Sequence, residues 1–410
     1  FNYFPPFKGL FLLTYVLMSK NAADNRFKEK YSWEIIDYEF PSLEERAKAE
    51  AEGLYKPGNS FISSIDLWGD FLYLAVPRMK PGVPSTLNYI NISDPMKSPI
   101  LKPYPSWEAN YFNNTAKKQG MTSVHSLRVD VCNRLWAIDS GLSDELNTNR
   151  EENLPSLFVY NLIDRSLVRK YILVDEQFYR DSKFRNIVVD VTPGNCENAF
   201  AYLADTQHGL LVYRWYTNES HKISNNYFSF EPIWGSFRTS TGNLYQLNDG
   251  VLGMALSMPN QEGHRELFFQ PLAGILVYRI STRILQNKSM PAECYKHTYL
   301  LGNRGDNMQS SASIFDQNTG TLFYTTVIKN GIACWNSFRG DNINPQNQGI
   351  INEFNEPLSY PADIRIDKNG SLWVLTNKMM DFLYEKEQST TPYRIFTGTL
   401  HTLIKNTPCK

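Results

Sequence analysis

Val129-Asp130-Val131-Cys132-Asn133-Arg134-Leu135-Trp136 sets the pattern from which the fold follows: a β-rich run ending in Asp, a short turn, then Leu and an aromatic. The phrase recurs as Ser64-Ile65-Asp66…Leu72-Tyr73, Val189-Asp190…Ala201-Tyr202, Phe315-Asp316…Leu322-Phe323 and Ile366-Asp367…Leu372-Trp373. The Asp positions fall 64, 60, 126 and 51 residues apart. Val251 to Leu256 and Leu267-Phe268-Phe269 fill the double-length gap, keeping the hydrophobic pattern without the Asp. The chain therefore holds six units of about fifty to sixty residues, each with a strand–turn–strand core. Repeats of that size, made of short strands and turns, form blades around an axis. The expected fold is all-β: a six-bladed β-propeller with a central channel, in a single domain.

Bulk properties narrow the function classes. The 410 residues are 42% hydrophobic and 14% aromatic, with a formal net charge of −1. No basic stripe or arginine-rich tail appears, which argues against nucleic acid as a partner, and no polybasic patch points to a membrane surface. Near the N-terminus Lys8 precedes an apolar run from Gly9 to Met18, about half the ~20 residues that cross a bilayer. With Ala22-Ala23 after it, residues 1–23 read as a secretory signal peptide and 24–410 as the propeller. Five Asn-x-Ser/Thr acceptors, at Asn91, Asn113, Asn218, Asn287 and Asn369, agree with export. The cysteines (132, 196, 294, 334 and 409) lack CxxC spacing, against a zinc or redox site. In an oxidising compartment they would form two disulfides and leave one thiol, with three pairings open for any four of them. A secreted, extracellular protein is expected.

A ring of blades must close. The stretch Trp33–Phe40 is expected to join the last blade near Tyr393–Leu400, removing an exposed edge. Ser42 to Glu52 favours a helix between Pro41 and Gly53. The Pro-rich piece from Pro77 to Pro105 reads as a loop-rich connection, and the Asn-rich piece from Asp341 to Glu356 as an exposed loop.

Propellers bind ligands where loops converge at one mouth. Residues just past the repeated Leu/Ala-aromatic steps should gather there: Asp139, Asp205-Thr206-Gln207-His208, Thr325-Thr326 and Asn377. Converging acids and amides suit a cationic amine, a catechol or a metal ion; Asp and Asn at such places also bond backbone amides in turns. The repeat carboxylates Asp66, Asp130, Asp190, Asp316 and Asp367 precede turns and read as turn caps. The six histidines show neither HxH nor HExxH spacing, so no metal site is expected. His208 is the candidate general base, whereas His125 reads as structural. No GxSxG, P-loop or dinucleotide glycine pattern occurs, and no cofactor is expected.

From about Trp33 to Cys409 the chain resembles the yellow / major royal jelly protein family of insects, and more nearly its yellow branch. The resemblance rests on Val76-Pro77-Arg78 with Gly82-Val83-Pro84-Ser85-Thr86-Leu87, Asp130 to Trp136 leading to Asp139-Ser140-Gly141, Gln309-Ser310-Ser311-Ala312, Ala333-Cys334-Trp335-Asn336 and Gly370-Ser371-Leu372-Trp373. It implies the propeller, and disulfides Cys132–Cys196 and Cys334–Cys409 with Cys294 free. It further implies a role in melanin and cuticle pigmentation and, for some members, conversion of dopachrome. That isomerisation needs a base, for which Asp139, Asp205 and His208 are candidates, and donors such as Thr326 or Asn377. A salivary branch instead binds biogenic amines through a Thr, an Asn and an aromatic; here the matching residues are Ala362, Asn377 and Met379, with Tyr360 as an available aromatic wall. The expected partner is a small catechol, indole or amine ligand. The alternatives are a non-catalytic binder or a structural protein contacting cuticle components.

Overall fold

A computed structural model describes residues 26–110, 120–147, 151–238, 244–353, 360–384 and 392–410. Among them lie six four-stranded antiparallel sheets, the blades, whose innermost strands neighbour one another in a closed ring. Blade I comprises Ser64–Trp68, Phe71–Ala75, Leu87–Asn91 and Lys102–Pro103. Blade II is Val124–Val129, Arg134–Asp139, Ser156–Asn161 and Leu167–Ile172, and blade III is Phe184–Asp190, Phe200–Asp205, Gly209–Arg214 and Glu219–Ile223. Blade IV is Val251–Leu256, Glu266–Pro271, Leu276–Ser281 and Thr298–Asn303; blade V is Ser313–Asp316, Thr321–Thr326, Gly331–Asn336 and Gln348–Glu353. Blade VI takes Tyr360–Ile366, Ser371–Asn377 and Tyr393–Thr399 from the C-terminal region and Lys28–Trp33 from the N-terminal one.

The repeated Leu-aromatic step is the packing rule of this ring. Successive residues of a strand face opposite sides of its sheet. On each second strand the first residue of the step packs against the preceding blade and the second against the following one. Leu135 joins the cluster shared with blade I, and Trp136 the cluster shared with blade III. Ala201 and Tyr202 divide likewise between blades II and IV, and Leu372 and Trp373 between blades V and I. Blade IV obeys the rule with Leu267 and Phe268. The core is thus six slabs of side chains between neighbouring blades.

The repeat Asp completes the unit. Asp130 accepts from the backbone N–H of Cys132 (2.8 Å) and Arg134 (3.0 Å), and from the Trp136 indole at 2.8 Å. Asp367 does the same for Asn369, Ser371 and the Trp373 indole. Asp316 caps its turn through Asn318 and Thr319. Asp66 and Asp190 reach further: Asp66 accepts from Val129 N of the next blade, and Asp190 from Arg265.

Both disulfides, Cys132–Cys196 and Cys334–Cys409, are formed, and Cys294 is free and buried. The first ties the inner turns of blades II and III; the second fastens the C-terminus to blade V. Three segments depart from expectation. The closing strand is Lys28–Trp33, which pairs Trp33 with Tyr393. Beyond it Glu34 and Ile35 are both exposed, so strand alternation ends and the chain crosses to blade I, where Tyr38 bridges Leu101. The Pro-rich piece supplies the two outer strands of blade I, and Gln348–Glu353 is the outer strand of blade V. Pro103 is tolerated because it sits on an edge, where a missing N–H breaks no ladder. The expected helix is Leu43–Ala51, capped by the Ser42 side chain on Glu45 N and followed by Gly53 at φ 72°. The leader 1–23 and Asn113 fall outside the described residues. Among those described, no helix is long and apolar enough to cross a membrane.

Candidate functional site

All six blades contribute to a cavity of about 370 Å³ at one mouth of the channel. Its lining comes from the starts of inner strands (Ser64, Ser126, Asn186, Leu252, Asp363) and from residues at or just past the ends of second strands (Glu145, Thr206, Leu272, Asn377). Its apolar side chains are Phe61 and Met79 from blade I, Leu252 and Leu272 from blade IV, and Met379 and Leu383 beside blade VI. Charged and titratable groups come from blades II and III, His125, Glu145, Lys183 and Arg185, and from Asp249 on the connection into blade IV.

The charged groups are tightly organised. Arg185 reaches from the inner strand of blade III to Glu145 on the loop beyond the second strand of blade II. Its Nη1 donates to Glu145 Oε2 at 3.0 Å, and its Nη2 to Oε1. The same Nη1 lies 2.7 Å from His125 Nδ1, while His125 Nε2 is 3.3 Å from Glu145 Oε2. Burial pushes the His125 imidazole down to about 4 and the Arg185 charge adds to this, against the pull of Glu145; the ring is neutral at pH 7. Burial would raise the Glu145 carboxyl, but the guanidinium and imidazole hold it well below its ordinary value. Asp249 accepts from Thr206 Oγ1 at 2.9 Å. It is placed there by Gly250, where a Cβ would come within 2.2 Å of Phe228 O.

A second ionic network joins the lining residues Ser64 and Asp363 to charged residues further along the inner strands. Ser64 Oγ donates to Asp363 Oδ2 at 2.7 Å, and Arg365 Nη2 to Asp363 Oδ1 at 2.8 Å. Two residues further along their strands, Asp66 and Arg128 join the same network. Burial, opposed by Arg128, pushes the Asp66 and Asp363 carboxyls up to about 6. Among the described residues, no group of three or more His, Cys, Asp or Glu side chains is arranged to hold a metal ion.

Five of the residues named from sequence for the mouth or ligand line the cavity: Thr206, Tyr360, Ala362, Asn377 and Met379. Asp139, Asp205, His208 and Thr326 do not. Asp139 accepts from the backbone N–H of Thr122 (2.6 Å), Ser123 (2.8 Å) and Gly141 (2.9 Å). Asp205 accepts from Ser182 Oγ, Lys183 N and Gln207 N. Both end a second strand and fasten the segment entering the inner strand of their own blade; Thr325 does so in blade V through Ser311 N and Ala312 N. His208 pairs with the exposed Asp181 at 2.8 Å and packs on Tyr179. The Thr326 hydroxyl is buried without a hydrogen-bond partner. Asn377 faces the cavity, but its amide donates to Ile62 O (3.0 Å) and accepts from Met379 N (3.1 Å).

Sequence reading missed Glu145, Arg185 and Asp249, and took His125 for a framework residue. Part of the lining had a signal: Ser126, Asn186 and Asp363 each stand four residues before a repeat Asp. Glu145, Arg185 and Asp249 come from loops and strand starts with no common spacing.

The family model for the major royal jelly proteins matches residues 122–409. The chain belongs to the yellow / major royal jelly protein family. Curated relatives, each called protein yellow, share this membership across nearly all of the chain. The protein from Drosophila madeirensis is 33% identical over 408 residues, covering 98% of this chain and 71% of its own length. The Drosophila melanogaster protein is 33% identical over 407 residues, and the Drosophila yakuba protein 34%, each covering 98% of this chain and 74% of its own length. In this yellow-family chain the positions that match the salivary amine site, Ala362, Asn377 and Met379, do share one cavity. The first offers no hydroxyl, the last no ring, and the Asn amide is engaged by backbone.

Proposed function

We propose that this chain is a secreted yellow-type protein of the pigmentation pathway, and that its cavity binds a catechol-derived indole and isomerises an aminochrome such as dopachrome. The observation that carries the reading is the mixed lining of the cavity, apolar side chains from blades I, IV and VI together with ionised and hydrogen-bonding groups from blades II, III and IV. Its volume falls at the small end of the ~300–1,000 Å³ usual for small-molecule sites, which suits one bicyclic ring system. The reaction breaks two ring C–H bonds and forms two O–H bonds, the protons moving from carbon to the two quinone oxygens as the ring becomes aromatic, with no outside oxidant or reductant. Asp249, with one oxygen on Thr206, is the base assigned to the protons. Arg185 and the Tyr360 phenol are the groups assigned to the quinone oxygens as negative charge grows there. The Tyr360 phenol, raised above its ordinary value by burial, stays protonated and able to donate.

Export is supported by two disulfides that close long loops, since such bonds persist in oxidising compartments. Amine capture is the weaker reading because the Asn377 amide is committed to Ile62 and Met379. The test follows loss of dopachrome absorbance against a heat-killed control, beside calorimetric titration of dopamine and serotonin. Conversion that Asp249→Asn slows at least tenfold, with ligand binding retained, supports the isomerase. Amine binding without conversion refutes it.

A further inference from the structure

The blade topology sorts the four glycosylation sequons among the described residues onto one face. Strands alternate in direction, so the turn from first to second strand and the turn from third to fourth leave a blade at the same end. The entry to the first strand and the loop from second to third leave at the other. Every cavity position described above belongs to that second end. Asn369 lies in the first turn of blade VI, between Ile366 and Ser371. Asn91 ends the third strand of blade I, Asn218 lies between the third and fourth strands of blade III, and Asn287 between those of blade IV. All four therefore sit at the end opposite the cavity. All four are exposed. Asn91 and Asn287 each accept from the N–H of the Ser two residues on, at 2.8 and 3.0 Å, and Asn218 accepts from Tyr213 OH at 2.9 Å. These bonds use the side-chain oxygen, and the amide nitrogen that would take a sugar stays free.

We infer that Asn91, Asn218, Asn287 and Asn369 carry asparagine-linked oligosaccharides, and that these sheathe the face opposite the cavity while leaving the mouth open. Four bulky hydrophilic groups on four of six blades make that face unsuited to close docking. Access to the cavity is then independent of these four sugars, whatever the cavity binds.

Two measurements test this without reference to activity. Protein secreted from eukaryotic cells is deglycosylated in heavy-oxygen water, and its peptides are mapped by mass spectrometry. Label at three or all four of these Asn residues supports the inference; label at two or fewer overturns it. Separately, Leu146→Cys places a thiol in the cavity lining, where Leu146 is 40% exposed. With Asn113→Gln in every chain compared, a maleimide-polyethylene glycol should label it at rates within twofold before and after sugar trimming, with the chain lacking Leu146→Cys as control for Cys294. Labelling that trimming accelerates tenfold would mean that the glycans cover the mouth, and would overturn the inference.

Discussion

Removing the Glu145 carboxylate should unsettle the protein far more than removing both charges of its pair. Glu145 and Arg185 are 7% and 17% exposed in their side chains and bonded through both guanidinium nitrogens. Glu145→Gln leaves a largely buried guanidinium uncompensated, a loss of about 3–5 kcal/mol, whereas a neutral pair of similar volume can approach the parent. The cycle of Glu145→Gln, Arg185→Met and the double variant, followed by urea unfolding at pH 7, should give a coupling of at least ~2 kcal/mol. The coupling should change little between low and moderate salt, because buried pairs are weakly screened. His125 adds a pH signature. Its folded value of about 4 lies below its ordinary 6.5, so the unfolded chain takes up the proton first. The stabilisation is complete above pH 6.5, declines as pH falls, and is gone below about 4; the shift corresponds to on the order of 3 kcal/mol. His125→Gln should flatten that part of the stability profile. Additive single-variant losses in the cycle, or an unchanged profile in His125→Gln, would refute the picture of one coupled ionic arc.

Other consequences follow from the frame. Opening Cys334–Cys409 with two serines releases a closure spanning 75 residues; the chain-entropy model assigns it about 4–5 kcal/mol, read as a lowered unfolding midpoint. Asp367→Ala strands two turn amides and the Trp373 indole, costing about 1–3 kcal/mol in denaturant unfolding, while Lys368→Ala on the same turn should cost less than about 0.5. Leu372→Ala should cost about 2–5 kcal/mol, because Leu372 is wholly buried between blades V and VI. Deleting residues 26–33 exposes the Tyr393–Thr399 edge, and light scattering should then show association.

The propeller was legible because its packing rule is local. The Leu-aromatic step and its Asp sit within a single strand–turn–strand unit, so one blade can be read without the others, and the missing Asp of blade IV breaks only the polar half of the phrase. Segments misread from sequence were those where composition and position disagree. Prolines in blade I flank or border edge strands, and the Asn-rich stretch of blade V gives way to an edge strand at Gln348. The candidate site was less legible. Asp139 and Asp205 do stand at the mouth end of their second strands, as their spacing suggests, but their oxygens are turned into the loops by backbone N–H groups. The arc that faces the cavity draws on Glu145, six residues past one such Asp, and on Arg185 and Asp249 from another blade and another connection.

The order of residues determined on its own that short strands would stack as six similar sheets, since strand alternation and turn chemistry act over a few neighbours. Closure of the ring decided the rest. Which carboxylates point into the hollow and why His125 is neutral depend on side chains dozens of residues apart meeting across blade boundaries. No local pattern encodes that meeting, because burial and charge pairing are properties of the assembled circle.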